Sequence, residues 1–398
     1  MYSTSSQGSI ALIGTLGSST TYFTGFVSGF CADKFGYRIT ALLGTGIMTS
    51  ALLLASFNNR IWQLYITQGI MYGIGASLVY YPAVGAPSRW FETRRGLALG
   101  LAMSGVGVGG MILTPCTQAA IDAVGIYWTL RILAILCASR STNSIYTGTG
   151  TGTGTGIGFI SKLKVFKDPQ FLSLTIAQLV SSFGLFIPLY YLQTYAIHIS
   201  LTPQNGALIA GLSSGASCFG RIILGLAADR MPKTVIVSFC AWGTAGSVLI
   251  IWTLSKSFGI FLLFALVYGF LTGGSYSLVP LVLSETFGAS QLSTVIGFLY
   301  AISGIGVLAG APTAGFLLDA SKPNITYTPV IMAAGGALVI GAMCVSTWVI
   351  FRRREKKIKS KGYPMTKTEH VKNRPFKTIN ITNRHARALN ATYRDMET

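Results

Sequence analysis

Residues 29–38 read Gly29-Phe30-Cys31-Ala32-Asp33-Lys34-Phe35-Gly36-Tyr37-Arg38, and 196 positions later the chain reads Gly225-Leu226-Ala227-Ala228-Asp229-Arg230. In both places a glycine, an aspartate and a basic residue stand at the same spacing, at the end of a long apolar run. Outward from this echo, Tyr72-Gly73 precedes Tyr268-Gly269 by the same 196 positions, and Ser104-Gly105-Val106-Gly107-Val108 precedes Ser303-Gly304-Ile305-Gly306-Val307 by 199. Three ordered matches at nearly one offset, in three different apolar runs, define an internal duplication of about half the chain.

The chain is 51% hydrophobic and 10% charged, where a soluble domain carries roughly 25% charged residues. A bilayer crossing needs about 20 apolar residues. Runs of about that length fall at 8–31, 39–57, 62–86, 96–120, 125–139, 171–196, 206–228, 234–254, 258–283, 292–318 and 329–351. The expected fold is therefore an all-α membrane protein with eleven spans. Laid along the chain, the 196-residue offset places the counterpart of the run 171–196 ahead of Met1, so the first helix of a twelve-helix duplicate is expected to be missing. Met1 to Gly8 carries neither the basic residues nor the apolar run of a signal peptide. The expected domains are a five-helix N-terminal bundle over 1–140, a low-complexity linker over 141–170 holding the Thr-Gly repeats, a six-helix bundle over 171–351, and a basic tail over 352–398.

Of the net charge of +19, +10 lies in that tail, and most remaining basic residues stand between apolar runs. This is the charge layout of membrane topology and not a nucleic-acid footprint. One set of connections carries Lys34, Arg38, Arg89, Arg94, Arg95, Arg140, Lys162, Lys164, Lys167, Arg230 and Lys233; the alternate set carries little beyond Arg60, Lys256 and Lys322. By the positive-inside bias the first set and the C-terminus are expected to be cytoplasmic. The sequon at Asn324 then falls on the outer side. The RRREKKIKSK start of the tail either touches anionic headgroups or only fixes topology.

The stretch 29–38 resembles the signature between the second and third helices of the major facilitator superfamily, with 225–230 as its weaker copy. Residues 88–110 (SRWFETRRGLALGLAMSGVGVGG), 284–319 (SETFGASQLSTVIGFLYAISGIGVLAGAPTAGFLLD), 126–133 (IYWTLRIL) and 219–230 (FGRIILGLAADR) are similar to the monocarboxylate transporter family, especially its fungal branch. The resemblance covers residues 20 to about 350. It implies two pseudo-symmetric helical bundles, a binding site at their interface near mid-membrane, alternating access, symport of a small organic anion such as a monocarboxylate, and residence in the plasma membrane. Oligomeric state stays open. The alternatives are a carrier of a larger or neutral metabolite, or a non-transporting sensor or inactive truncated relative.

Charges inside spans are costly and usually functional. Arg221 lies within the run 206–228, about two turns from Asp229, and a guanidinium can grip a carboxylate with two parallel hydrogen bonds. It is the candidate substrate-binding residue, against the alternative of a structural arginine. The resemblance gives an arginine at this motif position that role. Tyr191, Tyr276 and Tyr300, together with Tyr190, are candidate cavity residues. Arg131 either snorkels outward or pairs with Asp122. The gating candidates are Asp33, Lys34, Arg38, Asp229 and Arg230: an aspartate at a helix end can cap a neighbouring helix or pair with a basic residue, latching the bundles in one state. The glycines at 105, 107, 109 and 110 lie in an apolar span without a preceding strand, so close helix packing is expected rather than a dinucleotide loop.

The family's proton-coupled members resemble one another in an acid one turn before this arginine and a lysine in the first helix. Here that position is Ser217, and Glu285, Asp319 and His198 all fall near span ends. The residues thus speak against the symport that the resemblance implies, leaving facilitated exchange or a different substrate as the alternatives. Six scattered cysteines show no metal-like spacing, and no triad or carboxylate pair stands in any span. No metal, cofactor or catalytic residue is expected.

Overall fold

The computed structural model describes residues 7–58, 60–90, 94–147, 168–287, 292–321 and 326–362; the side chains of 7–11, Asp33, 85–90, 140–147, 292–294 and 353–362 lie outside the described set. The Thr-Gly repeats after Thr147, the Asn324 sequon and the tail beyond Gly362 also lie outside it. Among the described residues every regular element is helical: α1 (Gln7–Phe23), α2 (Gly25–Phe35), α3 (Tyr37–Ala55), α4 (Ile61–Leu64), a π-helix (Tyr65–Met71), α5 (Tyr72–Trp90), α6 (Arg95–Thr147), α7 (Pro169–His198), α8 (Pro203–Arg230), α9 (Lys233–Gly246), a second π-helix (Ser247–Trp252), α10 (Phe258–Phe287), α11 (Leu292–Ala320) and α12 (Thr328–Gly362). Residues 1–349 form one compact unit and 350–398 a second, whose described residues are helical.

Among the described residues eight helices are long and apolar enough to cross a membrane. One of them, α6, turns at Gly125, whose φ of +80° is open to glycine at no steric cost. Beyond the turn its second arm packs Leu130 and Ala134 against Leu52 and Ala55 of α3, so α6 supplies two passes. Two further passes are broken into shorter pieces. Thr24 separates α1 from α2 yet still donates to Thr20 O and accepts from Ser28 N. A π-helical stretch interrupts the pass from Ile61 to Trp90. The described helices thus cover the eleven apolar runs of the sequence.

Local sequence sets the helix starts. The Asp168 carboxylate accepts from Gln170 N at 2.8 Å ahead of Pro169, and the Thr202 hydroxyl accepts from Asn205 N ahead of Pro203. Each is a capped start with proline at the first helical position, where its missing N–H costs nothing. Between α9 and α10 the Lys233 ammonium pairs with Glu285. The largest core cluster joins Tyr195, Trp252, Phe261, Phe264 and Tyr268 in the second half of the chain.

Candidate binding cavity and interhelical latch

Helices α6 and α8, one from each half, meet along a stripe of small residues. A Cβ added to Gly96 would come within 2.4 Å of Gly225 O, one on Gly100 within 2.3 Å of Arg221 O, and one on Gly107 within 2.7 Å of Ser214 O. These spacings of four and seven residues keep one face of α6 against its partner. Gly107 and Gly110 of the glycine ladder lie in this seam, Gly110 against Ser214 Oγ at 2.7 Å; Gly105 and Gly109 face open space. Close packing therefore explains half of the ladder. A second seam repeats the device: a Cβ on Gly297 of α11 would come within 2.7 Å of Gly25 O in α2. Gly25 stands 196 residues before Arg221, so the two carbonyls that receive a glycine occupy matching positions in the duplication.

Arg221 is 7% exposed. One terminal guanidinium nitrogen donates to the backbone carbonyl of Met103 on α6, and its Cζ stands 5.8 Å from the centroid of the Tyr276 ring. Its Nε has no acceptor among the described residues. The side chain borders a cavity of about 280 Å³, lined by Ser18, Thr21 and Tyr22 of α1, Tyr80 of α5, Val106 of α6, Phe186 and Leu189 of α7, and Tyr276 of α10. Both halves of the chain contribute. The wall is aromatic and hydroxylated, and among the described residues that line it Arg221 is the one that is charged, nine positions before the end of α8 or about 13 Å along the helix.

The four sequence candidates for this site part ways. Arg221 and Tyr276 line the cavity. Tyr300 stands behind the wall, fully buried, its ring stacked on Tyr22 at 5.1 Å and tilted against Tyr81 at 6.2 Å. Tyr191 points into the second half, where its hydroxyl donates to Ala311 O at 3.0 Å. Tyr22, Tyr80 and Phe186 line the cavity as well; no residue pattern marks them, since Tyr22 follows a run of hydroxyl residues while Tyr80 and Phe186 stand among largely apolar neighbours. Arg131 donates to Ser56 Oγ at 3.3 Å and lies over the Phe57 and Trp128 rings, each at 4.8 Å. Asp122 accepts instead from Gln118 at 3.0 Å.

Among the gating candidates, Asp229 makes a contact between the two halves. Its two carboxylate oxygens accept from the amides of Gly96 and Leu97, each at 2.9 Å. These are the second and third amides of α6, in the first turn where amides have no partner inside their own helix. Arg230, Lys34 and Arg38 are exposed, with Lys34 5.4 Å from the Phe35 ring. Asp33 lies in α2, and its side chain is outside the described residues.

The chain matches the Major Facilitator Superfamily over residues 2–240 and 174–389. It is 32% identical over 345 residues to the MFS-type transporter pynF of Aspergillus niger, covering 84% of this chain and 79% of that one. It is 27% identical over 321 residues to the agnestins efflux protein AgnL12 of Paecilomyces divaricatus, covering 79% and 72%. Among solved structures the nucleoside transporter NupG superposes with a TM-score of 0.63 at 12% identity, covering 86% of this chain and 91% of that one. That superposition supports the fold alone. On these grounds the chain belongs to the Major Facilitator Superfamily and is an integral, multi-pass membrane transporter, not an enzyme.

Proposed function

We propose that this transporter exports an organic anion with a ring-sized apolar body, by alternating access around the cavity at Arg221. The observation that carries the reading is one partly unsatisfied guanidinium set in an aromatic wall. A carboxylate or enolate is the natural partner for such a group, since Arg bonds anions in a planar fork. The rings of Tyr22, Tyr80, Phe186 and Tyr276 border the cavity. A volume near 280 Å³ sits at the lower edge of the roughly 300–1,000 Å³ typical of small-molecule sites. A small monocarboxylate would use the same guanidinium but leave the rings idle. The likeness to an efflux protein named for agnestins favours export of a larger metabolite. Asp229 serves as the latch, with Arg230 beside it in sequence and 29–38 as the N-terminal copy of its motif. The plasma membrane and a cytoplasmic C-terminus follow from the resemblance and the charge bias.

Reconstitution into liposomes tests the reading with salicylate as the probe. The parent chain is expected to show saturable salicylate flux that lactate does not compete away, and Arg221→Ala is expected to fall to the flux of empty liposomes. Equal flux in both proteins would sink it. Efficient competition by lactate would return the substrate to the small monocarboxylates.

A further inference from the structure

Tyr190 stands on α7, eight residues before the helix ends at His198, and so in the part of the helix pair away from Asp229, which is next to last in α8. Its hydroxyl crosses to the other half of the chain. It donates to Gly14 O at 2.9 Å and lies 2.6 Å from Ser18 Oγ, both on α1. With the tyrosine proton committed to the carbonyl, Ser18 is the donor in the second bond. The ring is seated on Gly14, where an added Cβ would come within 2.8 Å of Tyr190 Cε1. Ser18 and Leu189 line the cavity, as does Phe186, whose ring centroid lies 6.1 Å from that of Tyr190.

We infer that Tyr190 is a gating residue: its hydroxyl straps α7 to α1 over the end of the cavity remote from Asp229 and must let go when a solute passes that end. Alternating access needs an interhalf strap at each end, each able to hold and release while the other does the opposite. Asp229 supplies one with an ionised acceptor on two amides. Tyr190 supplies the other with neutral hydroxyls, and neutral hydrogen bonds are roughly half as strong as charge-assisted ones. This assignment rests on the transport fold and not on the identity of the solute.

The test places a reporter thiol in the cavity by Thr21→Cys in the full-length chain, in oriented membranes. A membrane-impermeant thiol reagent is added from the Gly14 side, and labelling of the chain without Thr21→Cys is subtracted. Tyr190→Phe keeps the ring and deletes both bonds, and labelling is expected to accelerate about tenfold, the scale set by losing two neutral hydrogen bonds. Ser18→Ala deletes one bond and should give a smaller increase of the same sign, which carries the test if the tyrosine variant does not fold. Asp229→Asn should slow labelling from this side, because weakening the opposite latch favours closure here. An unchanged rate in Tyr190→Phe and Ser18→Ala would overturn the assignment. So would acceleration by Asp229→Asn as well, which would mark a general loosening.

Discussion

Asp229 accepts the Gly96 amide at 2.9 Å across the junction of the two halves, and the seam leaves Gly96 no room for any side chain: an added Cβ would come within 2.7 Å of the Asp229 carboxylate and 2.4 Å of Gly225 O. The two residues depend on each other. The carboxylate needs a bare helix start to approach, and that start has amides without intrahelical partners and the positive end of the helix dipole to offer.

Asp229→Asn keeps the shape and removes the charge. The cap should weaken by about 1 kcal/mol, enough to shift a two-state opening by roughly five- to tenfold. A thiol placed by Met103→Cys, buried deeper along the same seam, should then label faster from the Asp229 side. No acceleration would show that the seam is held by packing alone.

The glycines of α6 supply an internal control. Gly100→Ala forces a methyl within 2.3 Å of Arg221 O, whereas Gly105→Ala and Gly109→Ala point into open space. Overpacking of this kind costs typically 1–3 kcal/mol, so Gly100→Ala should lower the thermal midpoint in detergent by several degrees while the other two stay near the parent value. Equal midpoints for the three variants would remove the seam from the account of stability.

What was legible in the sequence follows the same division. The duplication could be read because its marks are charges and glycines at fixed spacing, which lipid-facing drift cannot easily imitate. Arg221 could be read because a charge inside an apolar run is conspicuous. The rest of the cavity could not. In lipid a helix is apolar on every face, so periodicity does not say which face meets the partner. Tyr190 and Tyr191 are adjacent in sequence and about 100° apart on the helix; one crosses to α1, and the other bonds Ala311 O inside its own half. The same ambiguity hid which glycines of the ladder lie in the seam.

Tyr191→Phe separates scaffold from site. It deletes a buried hydrogen bond to Ala311 O and leaves that carbonyl without this donor. A loss of about 1 kcal/mol in stability is expected, with salicylate affinity unchanged. Tyr276→Ala, by contrast, removes a ring that borders the cavity and stands beside Arg221, and it should weaken salicylate binding several-fold. A lower affinity in Tyr191→Phe would draw Tyr191 back into the site.

Flux through this cavity should depend little on pH. Among the described residues lining it, Arg221 is accompanied by hydroxyls, rings and aliphatic groups, with no carboxylate or imidazole. Arginine stays charged throughout the physiological range, and a carried proton would need a titratable group on the route. Salicylate-for-salicylate exchange in liposomes, measured from about pH 5.5 to 7.5 across the ordinary titration range of His, should keep one rate. An inward proton gradient should not concentrate the probe through the protein beyond what leaks into empty liposomes. Arg221→Lys separates charge from geometry in the same assay: the positive charge remains, the planar fork is lost, and exchange should fall by about tenfold without acquiring a pH dependence. A rate that climbs steeply as pH falls, in the parent chain and above the leak, would mean that a proton carrier outside this cavity wall takes part and that exchange is not the mode of transport.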